Sequence, residues 1–135
     1  MNISIFAEDS GTTQEETDIR FKEYYQGGFL TISSLADQLD GYGDVQLHIL
    51  SEQFGLVRGK DTVDKCLPQD QAASEDEGEI LSTVLERAAD SDVVVILLSS
   101  SRFDSLIVSN WKQIVDRAKP DSVWCLGAAR SSLDA

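Results

Sequence analysis

The chain has 135 residues and 14.8 kDa, with 41% hydrophobic and 26% charged residues. It has the length and composition of one globular domain over 1–135, neither disordered nor fibrous. Its 24 acidic residues against 11 basic ones give a formal net charge of -13, which speaks against non-specific DNA or RNA binding and against an acidic membrane surface, since both need a basic face.

No apolar run approaches the ~18–20 residues of a membrane span. The start, Met1-Asn2-Ile3-Ser4-Ile5-Phe6, lacks the basic region and cleavage site of a signal peptide, so a cytoplasmic protein is expected. Ile3–Phe6, followed by Ala7, predicts a first strand that ends in the polar loop Glu8–Thr13. Gln14–Gly28 contains Ile19, Phe21, Tyr24 and Tyr25 but no clean period, and stays ambiguous. Leu30–Leu39 sets Leu35, Ala36 and Leu39 on one helical face. Gly41 and Gly43 then stop the helix by taking the left-handed conformation. Val45–Leu50 alternates apolar Val45, Leu47 and Ile49 with Gln46 and His48, which predicts a second strand at an edge or with a partly open face.

Phe54–Gln71, with Pro68, reads as a long irregular stretch. Glu75–Ala89 predicts a helix with a buried stripe of Ile80, Leu81, Val84, Leu85 and Ala88. Val93–Leu98 is Val-Val-Val-Ile-Leu-Leu. Its lack of alternation predicts a central parallel strand covered on both faces. Ser101 and Asp104 form an S-x-x-D helix-start signal, with Phe103, Ile107, Trp111, Ile114 and Ala118 on the inward side of the helix and Pro120 ending it. Val123–Leu126 is the last strand, and Cys125 within it is expected to pack in the core. Helices alternating with buried strands predict a doubly wound, Rossmann-like α/β domain with a mostly parallel sheet of at least four strands.

The acidity is spread along the whole chain, and only five lysines occur. Such a surface repels itself at low salt and is screened at molar salt, so a halophilic protein from a salt-accumulating cell is one reading and a merely acidic protein the other. The basic cluster Arg58, Lys60 and Lys65 is interrupted by Asp61 and Asp64.

Ligands of doubly wound sheets bind beyond the carboxyl ends of the strands, where strand order reverses. Those ends carry Asp9–Thr13, Ser51–Gln53 and Ser99–Ser101, all polar and rich in hydroxyls. Ser10-Gly11-Thr12-Thr13 has the residue types of a phosphate loop, but Glu8, Asp9, Glu15 and Glu16 flank it and would repel a phosphate. No flavin-covering aromatic, G-x-G-x-x-G or Walker lysine is present, so no cofactor is expected. His48 is the only histidine and lies within a strand, which favours a structural role over a catalytic one.

The segment Ile49-Leu50-Ser51-Glu52-Gln53-Phe54-Gly55-Leu56, followed by Asp61-Thr62-Val63, resembles the I-L-S-x-x-[YF]-G-L and D-T-[VI] motifs of the YaaA-type peroxide-stress proteins and their small relatives. Tyr25-Gln26-Gly27-Gly28-Phe29 and the helix after it look similar to the matching part of those relatives, so the likeness covers roughly residues 1–70. Where that family has a cysteine–serine and lysine pattern after strand one, this chain has Ala7-Glu8-Asp9-Ser10-Gly11-Thr12. The resemblance implies a nucleobase- or nucleic-acid-related role and carries over Ser51, Phe54, Gly55, Leu56, Asp61 and Thr62. Read as structure instead, the same turn is a corner in which Phe54 and Leu56 plug the core and Ser51 caps the strand end.

The expected site therefore comprises Asp9, Ser10, Ser51, Phe54, Gly55, Asp61, Thr62 and Ser99, binding a small nucleobase- or nucleotide-like ligand without catalysis. A base-processing glycosidic enzyme would use Asp9, Glu52 and Asp61 as acid, base or stabiliser. A protein-interaction subunit or homodimer would use Tyr24, Tyr25 and Phe29 as interface anchors.

Overall fold

In chain order the elements are β1 (Asn2–Glu8), α1 (Phe21–Tyr24), α2 (Phe29–Leu39), β2 (Asp44–Ser51), β3 (Gly55–Arg58), a single 3-10 turn (Val63–Lys65), α3 (Glu77–Asp90), β4 (Val93–Leu98), α4 (Ser100–Arg102), α5 (Trp111–Arg117) and β5 (Val123–Ala128). This computed structural model describes residues 1–9, 12–27, 29–51, 54–65 and 77–128. The predicted positions Ser10, Glu52 and Pro68 lie outside the described residues.

The five strands form one mixed sheet in the order β3-β2-β1-β4-β5. β1 pairs in parallel with β2 and β4, and β4 in parallel with β5. Only β3 runs antiparallel, against β2, with Ser51 opposite Gly55 and His48 opposite Arg58. The chain thus leaves β1 toward β2 on one side and later returns to pair β4 on the other. Parallel neighbours need long crossovers, and helices supply them.

Alternation along the strands divides the core in two. Ile3, Ile5 and Ala7 of β1, Leu47 and Ile49 of β2 and Val95 of β4 pack with Phe29 and Ala36 of α2 on one face. Phe6, Leu50, Val94, Ile96 and Leu98 pack on the other with Ile80 and Val84 of α3 and Ile114 of α5. β4 lies between β1 and β5 and feeds both clusters, which is why its sequence does not alternate. Ser4, on the α3 side of β1, is buried and shares a hydrogen bond of 2.7 Å with the Ser91 hydroxyl.

The structure differs from the sequence expectations at several points. β2 is not an edge, because the turn after Ser51 folds back as β3, a strand unforeseen within the stretch read as irregular. Gly27 is the only described glycine in the left-handed region, so Gly41 and Gly43 do not end α2 in that way. Gly43 is needed for close approach instead, since a Cβ there would sit 2.3 Å from the Met1 carbonyl oxygen.

The helix after β4 starts at Ser100, ahead of the Ser101 signal. It then passes through a π turn (Phe103–Ile107) and a 3-10 turn (Val108–Asn110) before α5. The Ser109 hydroxyl donates to the Asp104 carbonyl at 2.9 Å and the Asn110 amide to the Leu106 carbonyl at 2.9 Å, so side chains serve carbonyls in the irregular stretch. Cys125, expected in the core, is exposed. Its strand is the last of the sheet, and Val123, on the same face of it, is exposed as well.

Candidate functional site

Because β1, β2 and β4 are parallel, their carboxyl ends share one edge of the sheet. The register sets Glu8 opposite Leu50 and Ala7 opposite Leu97. Asp9, Ser51, Phe54 and Ser99 therefore lie along a common rim, as the strand ends predicted, and Gly55 opens β3 beside Ser51.

Two polar clusters occupy this rim. At β1 and β4, the Ser99 hydroxyl donates to Glu8 Oε1 at 2.8 Å. The guanidinium Nε of Arg102 stands 3.5 Å from the same carboxylate oxygen. Both charged side chains are mostly covered, at 28% and 22% exposure for Glu8 and Arg102, so solvent screens this pair less than the surface pairs. Ser99 precedes α4, yet its hydroxyl turns to Glu8 and leaves the helix end without a side-chain cap.

At β1 and β2, Ser51 is buried and shares a hydrogen bond of 2.8 Å with the Tyr25 hydroxyl. Its oxygen also accepts the Phe54 N–H at 3.1 Å, closing the β2–β3 turn. The Tyr25 phenol is pushed up to about 12, chiefly by burial, and the nearby Asp9 carboxylate adds to the rise. Phe54 is itself buried against the ring of Phe21, with centroids 5.2 Å apart. Ser51 and Phe54 thus act inward, as the corner reading had it. Ser51→Ala is expected to cost about 1–3 kcal/mol, because it strands the buried Tyr25 hydroxyl and the Phe54 N–H. Tyr25→Phe removes the matching hydroxyl and is expected to cost less; urea unfolding of the two variants measures the difference.

Asp61 and Thr62 do not join the rim. β3 runs away from it, and by Gly59, whose N–H donates to the Leu47 carbonyl at 2.8 Å, the chain is level with Leu47. That is four residues down β2 from Ser51, roughly 13 Å at the rise of a strand. There the Asp61 carboxylate accepts the Arg58 N–H at 3.1 Å, and Thr62 bridges to Arg20. An acid–base set that needs Asp9 and Asp61 together is therefore not assembled.

The same turn builds a feature that the sequence showed only in part. A cavity of about 240 Å³ on the α2 side is lined by Arg20, Lys22, Arg58 and Lys60, with Asp37 and Asp40 among its other walls. The basic cluster was legible at Arg58 and Lys60; backbone bonds from Phe21 to Asp61 and from Lys22 to Gly59 bring in Arg20 and Lys22. Much of this charge is answered locally, by Glu23 on Arg20, Asp37 on Lys22 and Asp61 on Arg58.

His48 lies on the opposite face of β2, 5% exposed, its ring stacked on Phe6 at 4.7 Å. Burial above all, then the charges of Arg87 and Arg58, pull its pKa down to about 4. Its Nε2 has no hydrogen-bond partner. The imidazole also borders an open groove with Gln46, Arg58, Glu79 and Arg87.

Tyr25 and Phe29, considered as interface anchors, are buried in the core, and Tyr24 is half-buried against it. No group of three or more metal-ligating side chains occurs among the described residues, and no described helix is long and apolar enough to cross a membrane. A scan against protein-family models and searches of curated proteins and of solved structures find no match to this chain.

Proposed function

We propose that the protein is a non-catalytic binding module of the doubly wound, Rossmann-like class, which takes a small nucleobase- or nucleotide-like ligand at the carboxyl edge of its sheet. One observation carries this reading. Where the parallel strand order reverses between β1 and β4, a carboxylate, a hydroxyl and a guanidinium meet within 3.5 Å, at Glu8, Ser99 and Arg102. Such a trio offers an acceptor and a donor side by side. A nucleobase edge presents the complementary pair, an N–H for Glu8 and a carbonyl or ring nitrogen for Arg102.

Asp9, next along the rim, adds a second acceptor and disfavours a ligand held chiefly by phosphate. The likeness of the Ile49–Leu56 segment to the YaaA-type proteins points to the same ligand class. The sole histidine is buried below the rim, which leaves no imidazole there to activate the Ser99 hydroxyl and favours binding over catalysis. The acidic surface suits a salt-rich cytoplasm.

Thermal-shift and calorimetric titration with bases, nucleosides and nucleotides tests the reading. At least one class should raise the melting temperature. Glu8→Gln and Arg102→Ala should each weaken its binding about tenfold or more, the weight of one hydrogen bond to a charged group. A flat response across the panel overturns the proposal, as does binding that neither substitution changes.

A further inference from the structure

We infer that the β5 flank is the contact surface between two copies of this chain, with β5 pairing antiparallel to its twofold mate. β5 ends the sheet, and among the described residues its only strand neighbour is β4. An edge strand presents a row of unpaired N–H and C=O groups, and soluble proteins usually guard such edges with lysine, proline or a covering loop. β5, Val-Trp-Cys-Leu-Gly-Ala, carries no charge and no proline.

The apolar surface of the molecule gathers at the same place. Among the described residues, five of the eight exposed large hydrophobic side chains are Val108, Trp111, Val115, Val123 and Leu126. Val123 and Leu126 project from opposite faces of β5. Val108, Trp111 and Val115 recur along the helical stretch beside it, which is fastened to the strand where Trp111 meets Trp124 edge-on at 6.0 Å. The remaining three, Met1, Leu30 and Tyr42, do not belong to this flank.

Charge selects the occupant. From Ser105 to Ala128 the chain has three basic residues (Lys112, Arg117, Lys119) and two acidic ones (Asp116, Asp121), within a molecule of net charge -13. A basic partner would find its complement elsewhere on this protein. A near-neutral, apolar flank is matched by the same flank on a second copy, where the heavily acidic surfaces stay apart. The geometry is isologous, since an antiparallel pair of identical strands closes on itself about a twofold axis and leaves no further free β5 edge. A stable dimer needs about 800 Å² per partner. That is roughly a tenth of the 7709 Å² surface of the chain.

Sedimentation equilibrium of the full chain at micromolar concentrations tests the inference independently of any ligand. The expected species has twice the mass of the 14.8 kDa chain. Its association should tighten between about 0.1 M and about 2 M KCl as the residual acidic repulsion is screened. Val123→Lys and Leu126→Lys, both at exposed positions, should each raise the dimer dissociation constant about tenfold or more while the far-UV circular dichroism stays unchanged. Leu30→Lys, on α2, should leave the dimer intact. A 14.8 kDa species under all conditions overturns the inference, as do a dimer indifferent to both β5 substitutions and one weakened equally by Leu30→Lys.

Discussion

Replacing His48 with phenylalanine should leave the protein about 3 kcal/mol less sensitive to acid between pH 6.5 and pH 4 than the native chain. The imidazole is held neutral in the fold, its pKa lowered to about 4 from the ordinary 6.5, with burial the largest cause. An unfolded chain takes up the proton at its ordinary pKa, so the unfolded state binds more protons throughout that interval. Stability therefore falls as the pH falls, fully present above about 6.5 and lost by about 4. The gap between 6.5 and about 4 corresponds to about 3 kcal/mol.

Phenylalanine fits the stack on Phe6, whose ring lies at 4.7 Å and 13° from that of His48. It also removes the unpartnered Nε2, so the variant should be at least as stable at neutral pH. The acidic side chains titrate in the same range, and subtracting the urea-unfolding curve of the variant from that of the native protein at each pH removes their common contribution. A difference that stays flat from pH 7 to pH 4 would show that the imidazole takes up its proton in place.

The layered part of the fold is legible because it rests on short-range pattern. The run Val93–Leu98 announces a strand covered twice, and the alternation of Val45–Leu50 announces one with unlike faces. What the alternation cannot tell is that His48, on the polar face of β2, is also buried and Gln46 partly so. Whether Gln46 and His48 meet water depends on α3, more than 30 residues later in the chain. β3 escaped detection because its four residues, Gly-Leu-Val-Arg, are too few for a period to show, and its pairing is set by the Ser51 turn instead.

Cys125 misled in the opposite sense. The run Val-Trp-Cys-Leu has the composition of a core strand, but composition does not record which strand comes last in the sheet. The rim was legible at Asp9, Ser51 and Ser99, since strand ends follow from strands. The Glu8–Arg102 pair is not legible: in sequence Glu8 is one acidic residue among several in a loop, and Arg102 faces it solely because β4 pairs with β1. Asp61 and Thr62, chosen on a motif, lie away from the rim because the intervening strand runs backwards.

The segment without a period, Gln14–Gly28, is where the largest loss of stability is expected. Phe21→Ala should cost about 3–5 kcal/mol, a large share of the ~5–15 kcal/mol that holds a domain of ordinary stability together. Phe21 is fully buried. Its ring contacts Tyr24, Tyr25 and Phe54 at centroid separations of 6.3, 6.1 and 5.2 Å. α1 has four residues, far too few to persist alone. It is held by this cluster and by the bonds from the Phe21 and Lys22 N–H groups to the carbonyls of Asp61 and Gly59.

The Phe54 contact and the two backbone bonds join residues more than 30 positions apart, which is why no local period reveals them. Truncating the ring opens a cavity lined by Tyr24 and Tyr25 of its own segment and by Phe54 of the β2–β3 turn, so neither side alone can collapse to fill it. Phe21→Leu should recover more than half of the loss, since it restores most of the apolar volume without the ring. Urea midpoints for the two variants measure both quantities. A loss below about 1 kcal/mol for Phe21→Ala would mean that the Gln14–Gly28 segment is not fastened to the β2–β3 turn; the Tyr25–Ser51 bond, which depends on that fastening, would then hold the rim in place no better than a surface contact does.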